Sequence, residues 1–206
     1  MKNNKTIITT MNLQDIHQLY KECHTPLHVQ KHMEMVAKIA THMAKKIHEN
    51  GHKIDVKKVR DLALIHDLMK AICFKKITPD TFIKNPTKQD LQMWEKWKKK
   101  YNGNDIEATS NILKAKKEVH LSEAVMSQQF DAITSKKYPL KTLEEKIVYY
   151  ADKRVAHTEF VSLKIRLQEG YKRYNGNRKK SQKTKNVELA IHMLEEELFS
   201  MAGEKI

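Results

Sequence analysis

The segment VRDLALIHDLMKAI, residues 59–72, carries the strongest structural signal in this sequence. Its apolar residues recur at the three- to four-residue spacing of one helix face, so the segment predicts a buried helix. That face closes on an adjacent pair, His66 and Asp67. A carboxylate beside an apolar surface is costly unless it has a partner. The segment therefore predicts a core helix with a polar, chemically useful centre at its end.

Two further polar residues lie in apolar helical patterns far from this pair. His32 belongs to the stretch TPLHVQKHMEMVAKIATHMAKKI, residues 25–47, and Asp152 belongs to TLEEKIVYYADKRVAHTEFVSL, residues 142–163. Neighbouring side chains on a helix point about 100° apart, so His66 and Asp67 can share an ion only with donors from other helices. One such His or Asp alone is usually a core or solvated residue, but imidazole and carboxylate donors together suit a divalent metal.

The order H…HD…D, formed by His32, His66, Asp67 and Asp152, resembles the HD-domain superfamily of metal-dependent phosphohydrolases. LALIHDLMK and YYADKRV match the two characteristic segments, and the likeness extends from about residue 25 to about residue 174. The resemblance implies an all-α, HD-type helical bundle. It also implies that these four residues bind one divalent ion, and that a metal-bound water attacks phosphorus.

Three more residues are candidates for contact with substrate. Lys70 matches a basic position that often follows the His-Asp pair in this family, which implies contact with a substrate phosphate and a catalytic role. Arg154 follows Asp152 closely, and His28 lies one helical turn before His32 and so shares its face. Asp67 is expected both to bind the ion and to take a proton from the water. His28 is equally compatible with a surface position.

The sequence also departs from parts of the family. Members with two or more metals usually have further histidines after the His-Asp pair, where this chain has other residues, namely Asn104, Asp105, Gln128 and Gln129. A two-metal cyclic-dinucleotide phosphodiesterase is therefore disfavoured. Guanosine-tetraphosphate hydrolases tend to have an acidic pair where Leu68, Met69 and Lys70 stand, so that branch is disfavoured too. A single-metal site, or a weak second site completed by substrate phosphate, is what the resemblance leaves.

The composition of the 206-residue chain frames this function without choosing a substrate. Lys and Arg number 39 against 25 Asp and Glu, which gives a formal net charge of +14. A field of that sign attracts phosphorylated compounds, and it would also attract nucleic acid. The prediction is a hydrolase acting on a small phosphate ester, a nucleotide or a related compound. The alternative is a non-catalytic helical protein that binds nucleic acid through its basic surface or senses a nucleotide.

The pattern along the chain predicts one HD-type helical domain over residues 1–175. A basic linker over residues 176–185 and a C-terminal helix over residues 186–206 follow, and that helix is expected to pack on the same domain or on a partner. The first residues lack the apolar run of a signal peptide, and no stretch is long and apolar enough for a membrane span, so a cytoplasmic protein is expected. The identity of the ion (Mn, Fe, Co, Ni, Zn or Mg), the choice between monoester and diester, and the oligomeric state stay open.

Overall fold

The computed structural model describes residues 11–74, 83–176 and 178–205. In these ranges the chain is almost entirely helical, which confirms the predicted all-α fold. The α-helices are Leu13–Glu22 (α1), Leu27–Glu49 (α2), Val56–Ile65 (α3), Lys88–Lys100 (α4), Asp105–Ala115 (α5), Val119–Met126 (α6), Leu143–Asp152 (α7), Leu163–Asn175 (α8) and Gln182–Ala202 (α9). The other described elements are 3-10 helices at Lys70–Cys73 and Ala132–Thr134 and an antiparallel pair of short strands, Val155–Ala156 (β1) and Glu159–Phe160 (β2).

The core is built around α2, which packs against α3, α7 and α9. Its buried face follows the three- to four-residue spacing seen in the sequence. The buried residues of α2 are Val29, Met33, Val36, Ala37, Ala40, Met43, Ala44 and Ile47. Helices α3 and α7 also pack against each other. The three helices that carry or end at the predicted metal ligands are therefore mutual neighbours, although their sequences are far apart.

The sequence pattern predicts a helix that includes His66 and Asp67, and the structure corrects this. Helix α3 ends at Ile65, with His66 as its C-terminal cap and Asp67 in the turn that follows. The last carbonyl groups of a helix lack partners within the helix and must find others. Here the oxygen of Ala63 accepts a hydrogen bond from the His66 ring at 2.8 Å, and that of Leu64 accepts one from the Tyr20 hydroxyl at 2.5 Å. The His66 ring therefore satisfies one of the last carbonyl groups of α3.

The turn after α3 is fixed from two further elements. The Thr25 hydroxyl donates to the backbone oxygen of Leu68 at 2.8 Å, and the backbone amide of Met69 donates to the Thr109 hydroxyl at 3.3 Å. Thr25 lies just before α2, and Thr109 lies on α5. The segment that carries the His-Asp pair is thus tied to three neighbouring parts of the bundle, counting Tyr20 of α1.

The segment after Asp152 also differs from expectation. The sequence predicts a helical pattern over residues 142–163, but α7 ends at Asp152. A hairpin follows, in which Val155 pairs with Phe160, and α8 begins after it. His157 in the hairpin turn has a φ of 57°, a left-handed conformation that non-glycine residues seldom adopt. Strands of two residues are too short to show an alternating pattern, so this hairpin could not be predicted from the sequence.

Helix α9 packs on the same bundle, against α2 and α7. Its buried residues are Val187, Ile191, Leu194, Leu198 and Ala202. The helix begins at Gln182, four residues before the predicted start, because the Ser181 side chain caps it by accepting a hydrogen bond from the amide of Thr184. The stretch predicted as a basic linker is therefore partly the first turn of α9.

Within the described residues, none of the helices combines the length and apolar content that crossing a bilayer requires. The two cysteines, Cys23 and Cys73, are free thiols. Residues 1–10, for which the sequence predicts no signal peptide, lie outside the described ranges.

Candidate metal centre

The four residues predicted to bind a metal converge between α2, the end of α3 and the end of α7. His32, His66 and Asp67 each offer one ligand atom, and these three atoms all lie within 4.8 Å of one another. The Asp152 carboxylate lies against both rings, with Oδ1 3.0 Å from Nε2 of His32 and 3.6 Å from Nε2 of His66. Two imidazoles and two carboxylates therefore face one small volume.

Both histidines are oriented by backbone carbonyl groups. Nδ1 of His66 donates to the oxygen of Ala63 at 2.8 Å, and Nδ1 of His32 donates to the oxygen of His157 at 2.8 Å. Because a carbonyl can only accept, each Nδ1 must carry its proton. Fixing the tautomer in this way leaves the Nε2 lone pair directed at the centre, as histidine ligands of metals require.

The donor set fits a divalent cation. Nε2 of His66 is fully buried and has no hydrogen-bond partner among the described residues, although buried polar nitrogens nearly always have one. A bound cation would supply the missing partner at this point. The mixture of imidazole and carboxylate donors suits several first-row metals, as well as zinc, so the donors do not select one ion. His32, His66, Asp67 and Asp152 are the residues that would hold it.

The charges around the centre favour the ionised forms of its groups. Burial raises the pKa of Asp152, but the charge of Lys153, the hydrogen bond with His32 and the charge of the His66 ring outweigh burial and hold that pKa well below its usual range. The pKa of Asp67 is lowered because Lys70 and His66 likewise outweigh its burial. Burial lowers the pKa of His66, yet the charges of Asp67 and Asp152 raise it overall. Both carboxylates are therefore negatively charged near neutral pH, and negative charge at the centre favours a bound cation.

A family model described as HD domain matches residues 29–156, which is well over half of the chain and includes all four predicted ligands. The chain belongs to the HD domain family. This confirms the family suggested by the sequence motifs, and membership indicates metal-dependent phosphohydrolase activity as a general class, with a divalent metal. Searches among curated proteins and solved structures gave no significant match.

Lys153 is a buried residue of this HD domain that the sequence reasoning missed. It is only 6% exposed, its ammonium lies 2.7 Å from Oδ2 of Asp152, and its nitrogen stands 4.3 Å from the centre of the Tyr149 ring. A lysine is seldom buried without an anionic partner. Its position directly after Asp152 in an apolar stretch was the available signal. Lys153 thus binds one oxygen of the carboxylate, while the other oxygen faces the histidines.

Lys70 lies beside the predicted ligand Asp67, and its ammonium bridges two carboxylates. Its ammonium nitrogen is 3.2 Å from Oδ1 of Asp67 and 3.2 Å from Oδ2 of Asp105, the first residue of α5. The Lys70 side chain is about one-third exposed, so it reaches solvent as well as the acidic pair. Asp105 stands where the family resemblance predicts a histidine in multi-metal members, and the sequence does not predict its pairing with Lys70.

The other two predicted substrate contacts lie in different surroundings. His28 is half-buried one turn before His32, its ring stacks on Phe74 with centroids 5.8 Å apart, and burial together with the nearby His157 and His32 lowers its pKa. Arg154 packs its guanidinium on the Phe160 ring and pairs with Glu195 of α9 at 3.3 Å. His28 thus stays beside the centre. The contacts of Arg154 favour a structural role over the predicted contact with substrate.

Proposed function

We propose that this protein is a cytoplasmic, metal-dependent phosphohydrolase that cleaves a phosphate ester of a small molecule, a nucleotide or a related compound. The observation that supports this most is the convergence of one ligand atom each from His32, His66 and Asp67 within 4.8 Å of one another, with Asp152 against both rings. The HD domain match supports the general class of reaction. The net charge of +14 favours an anionic substrate.

Each residue of the centre has a separate role in the proposed hydrolysis of a phosphate ester. A divalent ion bound there supplies Lewis-acid polarisation of a phosphoryl oxygen and lowers the pKa of water. Asp67 directs Oδ2 towards His66 and Oδ1 towards Lys70, so its carboxylate can bind a cation and take the proton of the attacking water. Lys70 can bring its ammonium to a phosphate oxygen and offset charge in the transition state. Asp152, held by Lys153, lies against both imidazoles and completes the donor set.

The first experiment measures the metal content of the purified protein by mass spectrometry. We expect about one ion per chain in the wild type and almost none in Asp67→Ala or Asp152→Ala, because a site of this kind needs its whole donor set. His42→Ala is the matched control, since His42 is an exposed histidine on the same helix as His32. Folding of each variant is checked by circular dichroism. Equal metal content in all four proteins would refute the proposed centre.

The second experiment tests turnover. The metal-loaded protein is offered phosphomonoesters and phosphodiesters of nucleotides and of small alcohols, and released phosphate or nucleoside is measured. We expect hydrolysis that stops in chelator and returns with metal, and that Asp67→Asn abolishes. Stoichiometric metal without turnover of any member of this panel would contradict the enzymatic part of the proposal and would favour nucleotide sensing.

A second candidate function rests on the basic surface. The last turn of α4 exposes Lys98, Lys99 and Lys100, and the whole chain is strongly basic. Such a surface suits binding to the phosphate backbone of nucleic acid. Salt-sensitive binding to RNA or DNA that survives the double variant His66→Ala/Asp67→Ala, in a protein without turnover, would favour this function over hydrolysis.

A further inference from the structure

A cavity of about 360 Å³ lies between α3, α6 and the start of α7, away from the proposed metal centre. The lining of this α3–α6 cavity comes from α3, the turn before α6, α6 itself, the loop before α7 and the first turn of α7, and it includes none of the four predicted metal ligands. Along α7 the lining residue Glu145 is about 10 Å from Asp152, at 1.5 Å per residue. A volume of this size suits a small ligand.

Asp61 of α3 is the most deeply buried charged residue of the lining. The residue is only 1% exposed, and its Oδ1 accepts a hydrogen bond from Nε of Arg60 at 2.8 Å. Its Oδ2 is fully buried and accepts no hydrogen bond from the described residues. The Lys57 ammonium lies 3.5 Å from this oxygen, on a side chain that is 42% exposed. Buried polar atoms nearly always have a hydrogen-bond partner, so Oδ2 of Asp61 is available to a donor on a ligand.

Glu118 adds a second carboxylate to the lining. It is the N-terminal cap residue of α6, but its side chain makes no capping hydrogen bond. Burial, followed by the negative charges of Asp61 and Asp15, raises the pKa of Glu118. The positive charges of Lys57 and His120 only partly offset this rise. The electrostatic field at this carboxylate is therefore negative, although the whole chain has a formal net charge of +14.

The remaining lining combines apolar walls with lysines near solvent. Leu62 and Leu121 are buried and provide apolar surface on opposite helices, α3 and α6. Charges in contact with water are screened more than buried ones, so the buried Asp61 should contribute more to binding than the lysines. The lysines of the lining are half-exposed or exposed: Lys58, Lys117, Lys137 and Lys141.

We propose that the α3–α6 cavity binds a small aliphatic ammonium compound. Its ammonium group donates a hydrogen bond to Oδ2 of Asp61 and lies beside the Glu118 carboxylate, while its carbon chain packs on Leu62 and Leu121. An ammonium offers three donors together with a positive charge. Hydrogen bonds between charged groups are about twice as strong as those between neutral groups. A neutral molecule of the same shape should therefore bind less tightly.

The test is a titration of the 206-residue protein with n-butylammonium in chelator, followed by NMR of isotope-labelled methionine methyl groups. Met126 lines the cavity, whereas Met193 is 66% exposed on α9 and serves as the reference. We expect a saturable shift of the Met126 signal and no shift of the Met193 signal. Butan-1-ol has the same chain without the charge, and butyrate has the opposite charge. Both should bind at least about tenfold more weakly than n-butylammonium.

Variants of the two carboxylates identify the group that binds the ammonium. Asp61→Asn and Glu118→Gln should each weaken n-butylammonium binding about tenfold. Glu34→Gln is the matched control, since Glu34 is an exposed carboxylate on α2, outside the cavity lining, and its affinity should equal that of the wild type. Circular dichroism checks the folding of each variant. If Asp61→Asn does not fold, Glu118→Gln decides, because the Glu118 side chain makes no capping hydrogen bond that its replacement would remove.

Four results would overturn the inference. Butan-1-ol that binds as tightly as n-butylammonium would show that apolar contact alone explains binding. Tighter binding of butyrate would assign the cavity to its lysines. A Met126 signal that does not move, or unchanged affinity in the folded carboxylate variants, would show that the carboxylates bind no ammonium. Because a net charge of +14 attracts anions to the whole surface, a preference for the cation would be specific to this cavity. No metal enters the titration, so its result is independent of the proposed function.

Discussion

Replacing Asp152 by asparagine probes the centre of the site with almost no change of shape. The Asp152 carboxylate accepts from the buried Lys153 ammonium at 2.7 Å and faces Nε2 of His32 at 3.0 Å. An amide at this point keeps the volume but leaves the Lys153 charge without its anion. Removing one partner of a buried ion pair typically costs about 3–5 kcal/mol. Because 15% of the Asp152 side chain is exposed, we expect the lower end, about 3 kcal/mol.

The assay is thermal and urea unfolding of wild type and Asp152→Asn, first in chelator and then with excess metal. For a chain of this length about 3 kcal/mol corresponds to a fall in Tm of about 6–12 °C. Metal at a hundred times its Kd adds about 2.7 kcal/mol to the wild type alone, since the variant lacks a ligand. The difference in unfolding free energy between the two proteins should therefore be larger with metal than without it.

Two controls make the reasoning refutable. Glu34→Gln breaks an exposed pair with Lys31, in which both side chains are more than 40% exposed, and such pairs contribute about 0–1 kcal/mol. The double variant Asp152→Asn/Lys153→Met removes both charges and should recover most of the loss. If Asp152→Asn costs no more in chelator than Glu34→Gln, the buried pair does not stabilise the fold. If metal stabilises Asp152→Asn as much as the wild type, Asp152 is not a ligand.

Three further predictions concern the groups around the ligands. The rise in Tm on adding metal should be larger at pH 8 than at pH 6. Burial lowers the pKa of His66, but the charges of Asp67 and Asp152 raise it overall. Without metal, a proton on His66 therefore stabilises the fold below about pH 6.5, and this stabilisation is lost as pH rises through the folded pKa. An equal rise at both pH values would contradict this. His157→Gly should retain metal, because glycine keeps the left-handed turn and the carbonyl that orients His32. His157→Pro should weaken metal affinity about 10–100-fold, because proline cannot adopt this turn. Calorimetric titration compares the two variants, and equal affinities would be evidence against a role of the hairpin in orienting His32. Glu195→Gln should lower the free energy of unfolding in urea by about 2 kcal/mol and leave the metal content unchanged. Glu195 of α9 accepts a hydrogen bond from the Tyr150 hydroxyl and pairs with Arg154, away from the metal ligands. Loss of metal in this variant would refute a purely structural role.

The family match strengthens the sequence argument where that argument depended on spacing. The order of His32, the His-Asp pair and Asp152 was the basis of the predicted family, and the matched residues 29–156 contain all four. Nothing in the match selects a substrate, because specificity depends on side chains that differ among members of a fold family. The substrate screen and the metal analysis are therefore the experiments that test the proposed function.

Several features of the site could not have been read from the sequence, because they depend on contacts between distant segments. The pairing of Lys70 with Asp105 joins residues 35 positions apart, and the contact of the His32 ring with the His157 carbonyl joins residues 125 apart. Arg154 was expected at the substrate because it follows Asp152, yet the hairpin that begins there turns it towards Glu195. Where the chain changes direction, closeness in sequence to a ligand did not predict which groups a side chain contacts.

By itself the sequence determined the helical class, the buried face of α2 and the four residues that meet at the centre. These depend on local periodicity and residue chemistry, since a helix repeats every 3.6 residues whatever it packs against. Tertiary structure alone decided where α3 and α7 end, which carbonyl groups orient His32 and His66, and which carboxylates hold Lys70. Helix ends and side-chain orientations depend on partners that other segments supply, so packing of the bundle was needed to establish them.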